Sequence, residues 1–254
     1  MYIYKSFQRT SLLFKQLKRS LSMEAAKKAA AYEAVNKYVT KETKYLGVGS
    51  GSTIVYAVER LAQRVKEEDL NIKCIPTSFQ SRQLILDNGL VLSDIQQHPE
   101  LDIVIDGADE VDVNLNCIKG GGGCLTQEKI VASCAKNFVI IADSTKRSQH
   151  LGDSWKNGVA VEVIPMAYSL VIMKLKQLGF YPSLRMAKAK TGPLVTDNGN
   201  FIIDFKFDKL TDCKIVNDSL ISIPGIVETG LFIEMANSVI FGFSDGTTEE
   251  IFRQ

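Results

Sequence analysis

Short apolar runs alternate with amphipathic segments between residues 24 and 146. Ile54, Val58, Leu61 and Val65 recur at helical spacing, whereas residues 101–105 are nearly all apolar. The first pattern is typical of an amphipathic helix, and the second of a strand covered on both faces. Helices are predicted over residues 24–39, 52–66, 78–87 and 126–136, the last with Thr126 as its N-cap, and strands over residues 45–48, 71–76, 101–105 and 138–142. This alternation predicts an α/β fold with a Rossmann-like, mostly parallel sheet and helices on both faces.

The pattern changes after Trp155. Strands are predicted over residues 159–164, 183–187, 194–196 and 201–207, and a helix over residues 166–178 that ends at Gly179. Asp197-Asn198-Gly199-Asn200 is a strong signal for a hairpin turn between the last two strands. A β-α-β-β order predicts a smaller α+β domain with an antiparallel sheet. We expect residues 158–227 to form this inserted domain, and residues 23–157 and 228–254 to form the larger Rossmann-like domain.

The first 22 residues differ from the rest of the chain. They contain Lys5, Arg9, Lys15, Lys18 and Arg19, several serines and no acidic residue. That composition is typical of transit peptides, but Lys15 interrupts the apolar stretch. The prediction is a disordered extension on a cytoplasmic protein, with organelle targeting as the alternative.

Composition excludes several classes of protein. A net charge of +1 is too small for a nucleic-acid binder, and no apolar run reaches the roughly 18–20 residues of a membrane span. The five cysteines include no C-x-x-C pair, which argues against a disulfide framework or a zinc ribbon. With only His98 and His150 present, a proton-transfer group is expected to be a carboxylate or a lysine. A catalytic thiol at Cys124 stays open as an alternative.

Four polar segments each follow a predicted strand or lie near the end of one. They are GVGSGST at 47–53, DGADEVD at 106–112, KGGGGCLTQEK at 119–129 and ADSTK at 142–146. Open α/β sheets bind ligands at the carboxyl ends of their strands. The four segments are therefore candidate parts of a single site.

The first segment does not have the spacing of a dinucleotide-binding loop. Its glycines follow G-x-G-x-G rather than G-x-G-x-x-G, which makes a nicotinamide cofactor an unsuitable ligand. Ser50, Ser52 and Thr53 instead place three hydroxyls where a loop enters a helix. Free amides at such a position favour an anion, so the segment predicts phosphate binding. The alternative is a tight strand-to-helix turn with a serine cap.

The other segments supply carboxylates, a glycine run and lysines. Asp106 and Asp109 can bind a metal, orient sugar hydroxyls or move protons, or else they cap a turn. Four consecutive glycines after Lys119 indicate either a close approach of backbone to a ligand or a flexible loop. Glu128 lies one turn into the helix that follows, and Lys146 is either solvated or part of the site.

Together these segments closely resemble the A-type ribose-5-phosphate isomerases, from about residue 24 to residue 245. The similarity continues through EVIPMA, VTDNGN and IPGIVETGLF. It implies interconversion of D-ribose 5-phosphate and D-ribulose 5-phosphate in the non-oxidative pentose phosphate pathway, without a metal or another cofactor. Apart from this small sugar phosphate, the expected partner is a second copy of the chain, in a homodimer or homotetramer. Neither nucleic acid nor a membrane is an expected partner.

The resemblance also implies roles for individual residues. Glu128 is implied as the general base, with Asp106, Asp109 and Lys119 as the other catalytic residues. The implied substrate-binding residues are Ser50, Gly51, Ser52, Thr53, Asp106, Gly107, Ala108, Asp109, Lys119, Gly120, Gly121, Gly122 and Lys146. Lys27 loosely matches a phosphate-contacting lysine. Two alternatives remain, a non-catalytic sugar-phosphate-sensing module and a CoA-transferase-like enzyme with a glutamate nucleophile.

Overall fold

The computed structural model describes residues 22–208, 210 and 212–254. The predicted extension lies outside the described residues, except for Ser22, which belongs to the first helix. The described helices are α1 (22–38), α2 (Ser52–Glu68), α3 (Phe79–Asp87), α4 (Leu125–Ser133), α5 (Tyr168–Gln177) and α6 (Cys213–Ile221). Within these residues no helix combines the length and the apolar character that a membrane crossing requires.

The strands of the described residues form three sheets. They are β1 (Tyr45–Val48), β2 (Lys73–Pro76), β3 (Val91–Leu92), β4 (Ile103–Gly107), β5 (Glu110–Val111), β6 (Cys117–Ile118), β7 (Phe138–Asp143), β8 (Val159–Val163), β9 (Tyr181–Leu184), β10 (Phe201–Lys206), β11 (Ile226–Thr229), β12 (Leu231–Phe232), β13 (Ser238–Gly242) and β14 (Thr248–Phe252). The largest sheet has seven strands in the order β14-β13-β7-β4-β1-β2-β3. Every neighbouring pair in it is parallel except β13 and β14.

Helices cover both faces of the seven-stranded sheet, which confirms the predicted fold class. Successive side chains of a strand point to opposite faces, so Ile103 and Ile105 of β4 pack in one core with α1, α2 and α3. Val104 packs in a second core with Val131 of α4 and Phe138 of β7. Each large apolar side chain that is fully buried in this way contributes roughly 1.5–3 kcal/mol. The two cores hold the carboxyl ends of β1, β4 and β7 side by side.

The second sheet is antiparallel, with strands in the order β11-β8-β10-β9. Val171 and Leu175 of α5 and Leu220 of α6 are buried in its core. The predicted hairpin between residues 194–196 and 201–207 is wrong, because β8 and β9 occupy both edges of β10. The turn itself is present, with Gly199 at φ 78° and its amide bonded to the Thr196 carbonyl. The division of the chain into domains stays a prediction. Strand β11 belongs to the antiparallel sheet and ends at Thr229.

A small antiparallel sheet, β12-β6-β5, connects the glycine run to the larger sheet. The amide of Lys119, directly after β6, donates to the carbonyl oxygen of Gly230 at 2.9 Å. The amide of Asp109 donates to the carbonyl oxygen of Ile118 at 2.9 Å. These bonds place the second and third polar segments against each other.

The predicted cap of the fourth helix is wrong by two residues. Helix α4 begins at Leu125 with Cys124 as its N-cap, and Thr126 is the second helical residue. The Thr126 hydroxyl does not cap the helix but donates to the Glu162 carboxylate at 2.6 Å. The tertiary partner of this threonine therefore overrides its local preference for a cap position.

Candidate active site

A cleft of about 490 Å³ lies at the carboxyl ends of β1, β4 and β7 and beside the start of α4. Its walls include the predicted residues Ser50, Gly51, Ser52, Thr53, Gly107, Ala108, Asp109, Lys119, Gly120, Gly121, Gly122, Glu128 and Lys146. Asp106 is fully buried behind this wall. The structure thus brings all four polar segments to one place.

The innermost part of the cleft is a cluster of three charged side chains. Nζ of Lys119 lies 3.0 Å from Oδ2 of Asp106 and 3.1 Å from Oε1 of Glu128. The same ammonium group donates to the carbonyl oxygen of Gly107. All three side chains are buried, so water screens these charges weakly. The cluster has two carboxyl groups for one ammonium group.

Burial and the neighbouring charges shift the pKa values of this cluster. Burial raises the pKa of Glu128 to about 8, and the nearby carboxylate of Asp106 adds to the increase. Burial alone would lower the pKa of Lys119, but the charges of Asp106 and Glu128 raise it above its ordinary value. Lys119 is therefore a fixed cation, while Glu128 is able to take up and release a proton near neutral pH.

Asp106 also holds the first polar segment in place. Its Oδ1 atom accepts hydrogen bonds from the amides of Ser50 at 2.9 Å and Gly107 at 2.7 Å. A Cβ atom on Gly49 would lie 2.0 Å from this oxygen and 2.6 Å from the Asp106 Cα atom. Only glycine fits at this position, because the aspartate and its backbone come so close. Asp106 therefore links the first segment to the charged cluster.

Asp109 makes the corresponding contact with the glycine run. Its Oδ2 atom accepts a hydrogen bond from the Gly121 amide at 2.7 Å, and a Cβ atom on Gly121 would lie 2.6 Å from Oδ1. On the other side of the run, Arg185 donates to the carbonyl oxygen of Gly120 at 2.8 Å. Burial raises the pKa of Asp109 above its ordinary value. The carboxyl group of Asp109 thus lies beside the backbone of the run and in the cleft wall.

The start of α2 provides a place for an anion. Gly51 is the N-cap, no side chain caps the helix, and the first turn has no acidic residue. Ser52 and Thr53 form this first turn and line the cleft. Uncapped amides at a helix N-terminus attract anions, and the two hydroxyls add donors. The Gly51 amide donates to Oε1 of Gln80 at 2.8 Å.

Two lysines add positive charge to the cleft walls. Lys146 lies on the 3₁₀ turn after β7, with its Nζ atom 5.3 Å from the centre of the Trp155 ring. Lys27 of α1 pairs with Glu24 at 2.8 Å. Both lysines line the same cleft as the start of α2. Positive charge and free amides together suit a doubly charged phosphate group.

A larger cleft lies elsewhere on the molecule but lacks this chemistry. Its volume is about 770 Å³, and its walls include Asp112, Leu210, Lys214, Glu234 and Arg253. It contains none of the predicted site residues. Among residues 22–208, 210 and 212–254, no group of three or more His, Cys, Asp or Glu side chains is placed to hold a metal ion.

Comparison with known proteins identifies the family. Residues 73–246 match the family described as ribose 5-phosphate isomerase A, or phosphoriboisomerase A. The chain belongs to the ribose 5-phosphate isomerase A family. Ribose-5-phosphate isomerase of Sus scrofa is 59% identical over 88% of this chain and 73% of its own length. The Dictyostelium discoideum isomerase is 54% identical over 89% of this chain and 97% of its own length.

Solved structures of isomerases share the fold. Ribose 5-phosphate isomerase A from Methanocaldococcus jannaschii is 38% identical, with a TM-score of 0.83 over 89% of this chain and 97% of its own. A D-ribose-5-phosphate isomerase in complex with phospho-erythronic acid is also 38% identical, with a TM-score of 0.85 over the same shares of the two chains. This chain is thus a member of an enzyme family with the same overall structure.

In this isomerase family member, several cleft residues were not among the predicted site residues. They are Met23, Lys27, Phe79, Gln80, Cys124, Ala142, Asp143, Thr145 and Asp197. Asp143 and Thr145 lie within the ADSTK segment, of which only Lys146 was a predicted site residue. Asp197 lies in the VTDNGN segment, and its Oδ2 atom accepts a hydrogen bond from the Phe79 amide at 2.8 Å. Including each of the four polar segments in full would have found four of these residues, Cys124, Ala142, Asp143 and Thr145.

The open alternative of a catalytic thiol is not supported by the geometry. Burial raises the pKa of Cys124 to about 12, so its thiol stays protonated at neutral pH. His98 stacks on Tyr45 with ring centres 4.2 Å apart, and His150 is exposed. Neither histidine lines the cleft, so neither is placed to activate the thiol.

Proposed function

We propose that this protein interconverts D-ribose 5-phosphate and D-ribulose 5-phosphate, with Glu128 as the base. The observation that carries the proposal is the buried cluster of Glu128, Lys119 and Asp106 in the same cleft as an uncapped helix N-terminus. One end of the cleft suits proton transfer, and another part suits a phosphate. A sugar phosphate needs both.

Moving the carbonyl from C1 to C2 requires one proton to leave C2 and one to reach C1. Glu128, as a carboxylate, takes the C2 proton and an enediolate forms. The same carboxyl group then delivers a proton to C1, while the hydroxyl proton of O2 is transferred to O1. A pKa of about 8 suits both halves of this task at neutral pH.

The negative charge of the enediolate develops on the sugar oxygens. Lys119 is a permanent cation beside Glu128, and the backbone amides of Gly120–Gly123 lie next to it along the chain. A preorganised cation in a buried site stabilises such charge without reorientation of water. Asp109, whose pKa is raised, can hold a sugar hydroxyl or donate a proton during ring opening.

The phosphate of the substrate binds at the start of α2. Ser52, Thr53, Lys146 and Lys27 are the groups proposed to hold it. Binding energy from this remote contact positions the reacting carbons at Glu128. The solved relative in complex with phospho-erythronic acid, a phosphorylated sugar acid, supports a sugar-phosphate site in this fold.

Addition of ribose 5-phosphate and measurement of ketose formation test the proposal. Ribulose 5-phosphate should form without any added cofactor, and the reverse reaction should yield the aldose. Binding without ketose formation would indicate the sensing module of the alternative interpretation. Transfer of CoA between acids, with no isomerisation, would indicate the CoA-transferase-like enzyme.

The domain division, assembly and location of the protein are further parts of this proposal. The smaller sheet forms the inserted domain, and the enzyme is a cytoplasmic homodimer or homotetramer. Exposed apolar side chains at Met166, Leu170 and Met173 support a subunit interface on α5 and the turn before it. Sedimentation of the enzyme as a monomer at micromolar concentration would contradict the assembly.

A further inference from the structure

Glu162 is a fully buried carboxylate that the proposed reaction does not use. It lies in the centre of β8, paired with Ile202 of β10 on one side and with Glu228 of β11 on the other. No lysine, arginine or histidine of the described chain lies within ion-pair distance of it. A buried charge without a cation is costly unless hydrogen bonds satisfy it. Its presence in the otherwise apolar, fully buried strand β8 therefore requires an explanation.

Four neutral side chains donate to this carboxylate. Oε2 accepts from the Thr126 hydroxyl at 2.6 Å. Oε1 accepts from the Thr196 hydroxyl at 2.9 Å, from Nδ2 of Asn198 at 3.0 Å and from Nδ2 of Asn200 at 2.9 Å. Both oxygens of the carboxyl group therefore have hydrogen-bond donors, and four bonds connect it to its surroundings.

The donors come from two segments of the chain that each contribute a neighbouring residue to the active-site cleft. Thr126 lies in the first turn of α4, two residues before the proposed base. Thr196, Asn198 and Asn200 belong to the turn that carries Asp197, which lines the cleft and accepts from the Phe79 amide. Oδ1 of Asn198 also accepts from Nε2 of Gln127 at 2.8 Å, a second link between the turn and α4.

We propose that Glu162 is a positioning residue that fixes the start of α4, and with it the carboxylate of Glu128, through its bond to Thr126. The proposal rests on the assignment of Glu128 as the base. Residues 126 and 128 point to different sides of the helix, so the bond to β8 on one side holds the base against Lys119 on the other. Lys129, next in the chain, adds a contact to Glu228 at 2.7 Å.

Removal of a single hydroxyl group, that of Thr126, tests this role with little disturbance of the core. Thr126→Val keeps the shape of the side chain but removes its bond to Glu162. Turnover should fall about 10- to 100-fold, because a base that moves by up to about 1 Å is no longer aligned with the substrate. KM should change less than about threefold. Thr126→Ser restores the hydroxyl and should restore most of the turnover. Ser133→Ala, which removes a hydroxyl at the exposed end of the same helix, is the matched control.

Two further measurements separate positioning from simple stabilisation. A displaced Glu128 is less buried, so the pH at which kcat/KM reaches half its maximum should move toward lower pH in Thr126→Val. Glu162→Gln should lower turnover as well, because it weakens the contact with Thr126, and the double variant should be no slower than the slower single variant, because both changes act on the same contact.

Some results would overturn the proposal. If Thr126→Val melts at lower temperature but keeps wild-type turnover and an unchanged pH profile, Glu162 serves stability alone. If the wild-type enzyme is active and the variant behaves in this way, only the positioning role is ruled out. If the wild-type enzyme shows no isomerase activity, the proposed function and the positioning role are both ruled out.

Discussion

The ammonium group of Lys119 lies 3.1 Å from the carboxylate of Glu128, and both side chains are almost completely buried. Asp106 lies at nearly the same distance from this ammonium group, so one cation is shared by two carboxyl groups. The unmatched negative charge and the burial together make Glu128 hold its proton more tightly than an exposed glutamate does. The pair thus combines a permanent cation with a base that titrates near neutral pH.

Removal of the shared cation should destabilise the fold. In Lys119→Met, two buried carboxyl groups lose their partner, and the free energy of unfolding at pH 8 should fall by about 3–5 kcal/mol. The loss should be smaller at pH 5. A carboxyl group with a raised pKa binds more protons in the native state than in the unfolded state, so lower pH favours the native state. Urea unfolding at both pH values measures this.

Lys136→Met is the matched control for that experiment. Lys136 pairs with Asp102 at 3.2 Å on the surface, with 69% of its side chain exposed. Its loss should cost less than about 1 kcal/mol at either pH. Equal losses for the two variants would show that the buried cluster has no special role in stability.

The rate of the enzyme should rise with pH through the region near 8. Glu128 acts as a base only when it is deprotonated, and burial raises its pKa to about 8 in the free enzyme. kcat/KM should therefore decrease as the pH falls below that value, rather than below the ordinary glutamate pKa of about 4.3. A profile of kcat/KM from pH 5 to pH 9.5 checks this. A rate that stays constant down to pH 5.5 would be inconsistent with a raised pKa.

Thr53→Ala and Lys146→Ala should each weaken substrate binding. Thr53 lies in the first turn of α2, and Lys146 adds positive charge to the same cleft. Loss of one contact to a charged group should cost roughly 1.5–3 kcal/mol of binding free energy, seen as a rise in KM. Thr247→Ala, an exposed hydroxyl that bonds Asp245, serves as the control. Inorganic phosphate should compete with the substrate in the wild type, and non-competitive inhibition would remove the assignment of the anion site.

Activity should survive exhaustive treatment with EDTA. A metal-dependent isomerase needs a cluster of oxygen or nitrogen ligands, and the groups at the cleft are instead a lysine and carboxyls bonded to backbone amides. The measurement is turnover before and after chelation and dialysis. Loss of turnover that a single divalent ion restores would contradict the account.

The local patterns of the chain predicted much of the larger sheet. The strand at Tyr45–Val48 has the predicted bounds, and the helix from Ser52 continues two residues past its predicted end. These elements have one apolar face or a continuous apolar run, which sequence spacing reveals directly. Helix α6 was missed, because its nine residues mix polar and apolar positions and bury only Leu220.

Other features depend on partners that are distant in the chain. Residues 194–196 were predicted as a strand, but the edge of β10 they would have paired with is occupied by β9. Thr126 was predicted as a cap, but its hydroxyl bonds Glu162, 36 residues away. Glu162 itself was part of a strand pattern that gave no sign of a buried charge. The spacing of residue types within a short segment does not reveal contacts with residues that are distant in the chain.

The candidate site was predicted in outline, and its internal arrangement was not. The four polar segments indicated which residues meet, because strand ends of a parallel sheet share one edge. Asp106 lies behind the cleft wall and accepts a hydrogen bond from the Ser50 amide, because its backbone approaches Gly49 closely. No sequence pattern specifies an approach of that kind.

The most direct test of the account is the turnover of Glu128→Gln. Glutamine keeps the size of the side chain and its contact with Lys119 but does not accept the substrate proton. Turnover should fall by roughly 10²–10⁴-fold, the usual contribution of a positioned base, with little change in substrate binding. Exchange of the substrate C2 proton with deuterated solvent should disappear in parallel. A Glu128→Gln enzyme with near-normal turnover and exchange would contradict the account and direct attention to Asp106 or Asp109.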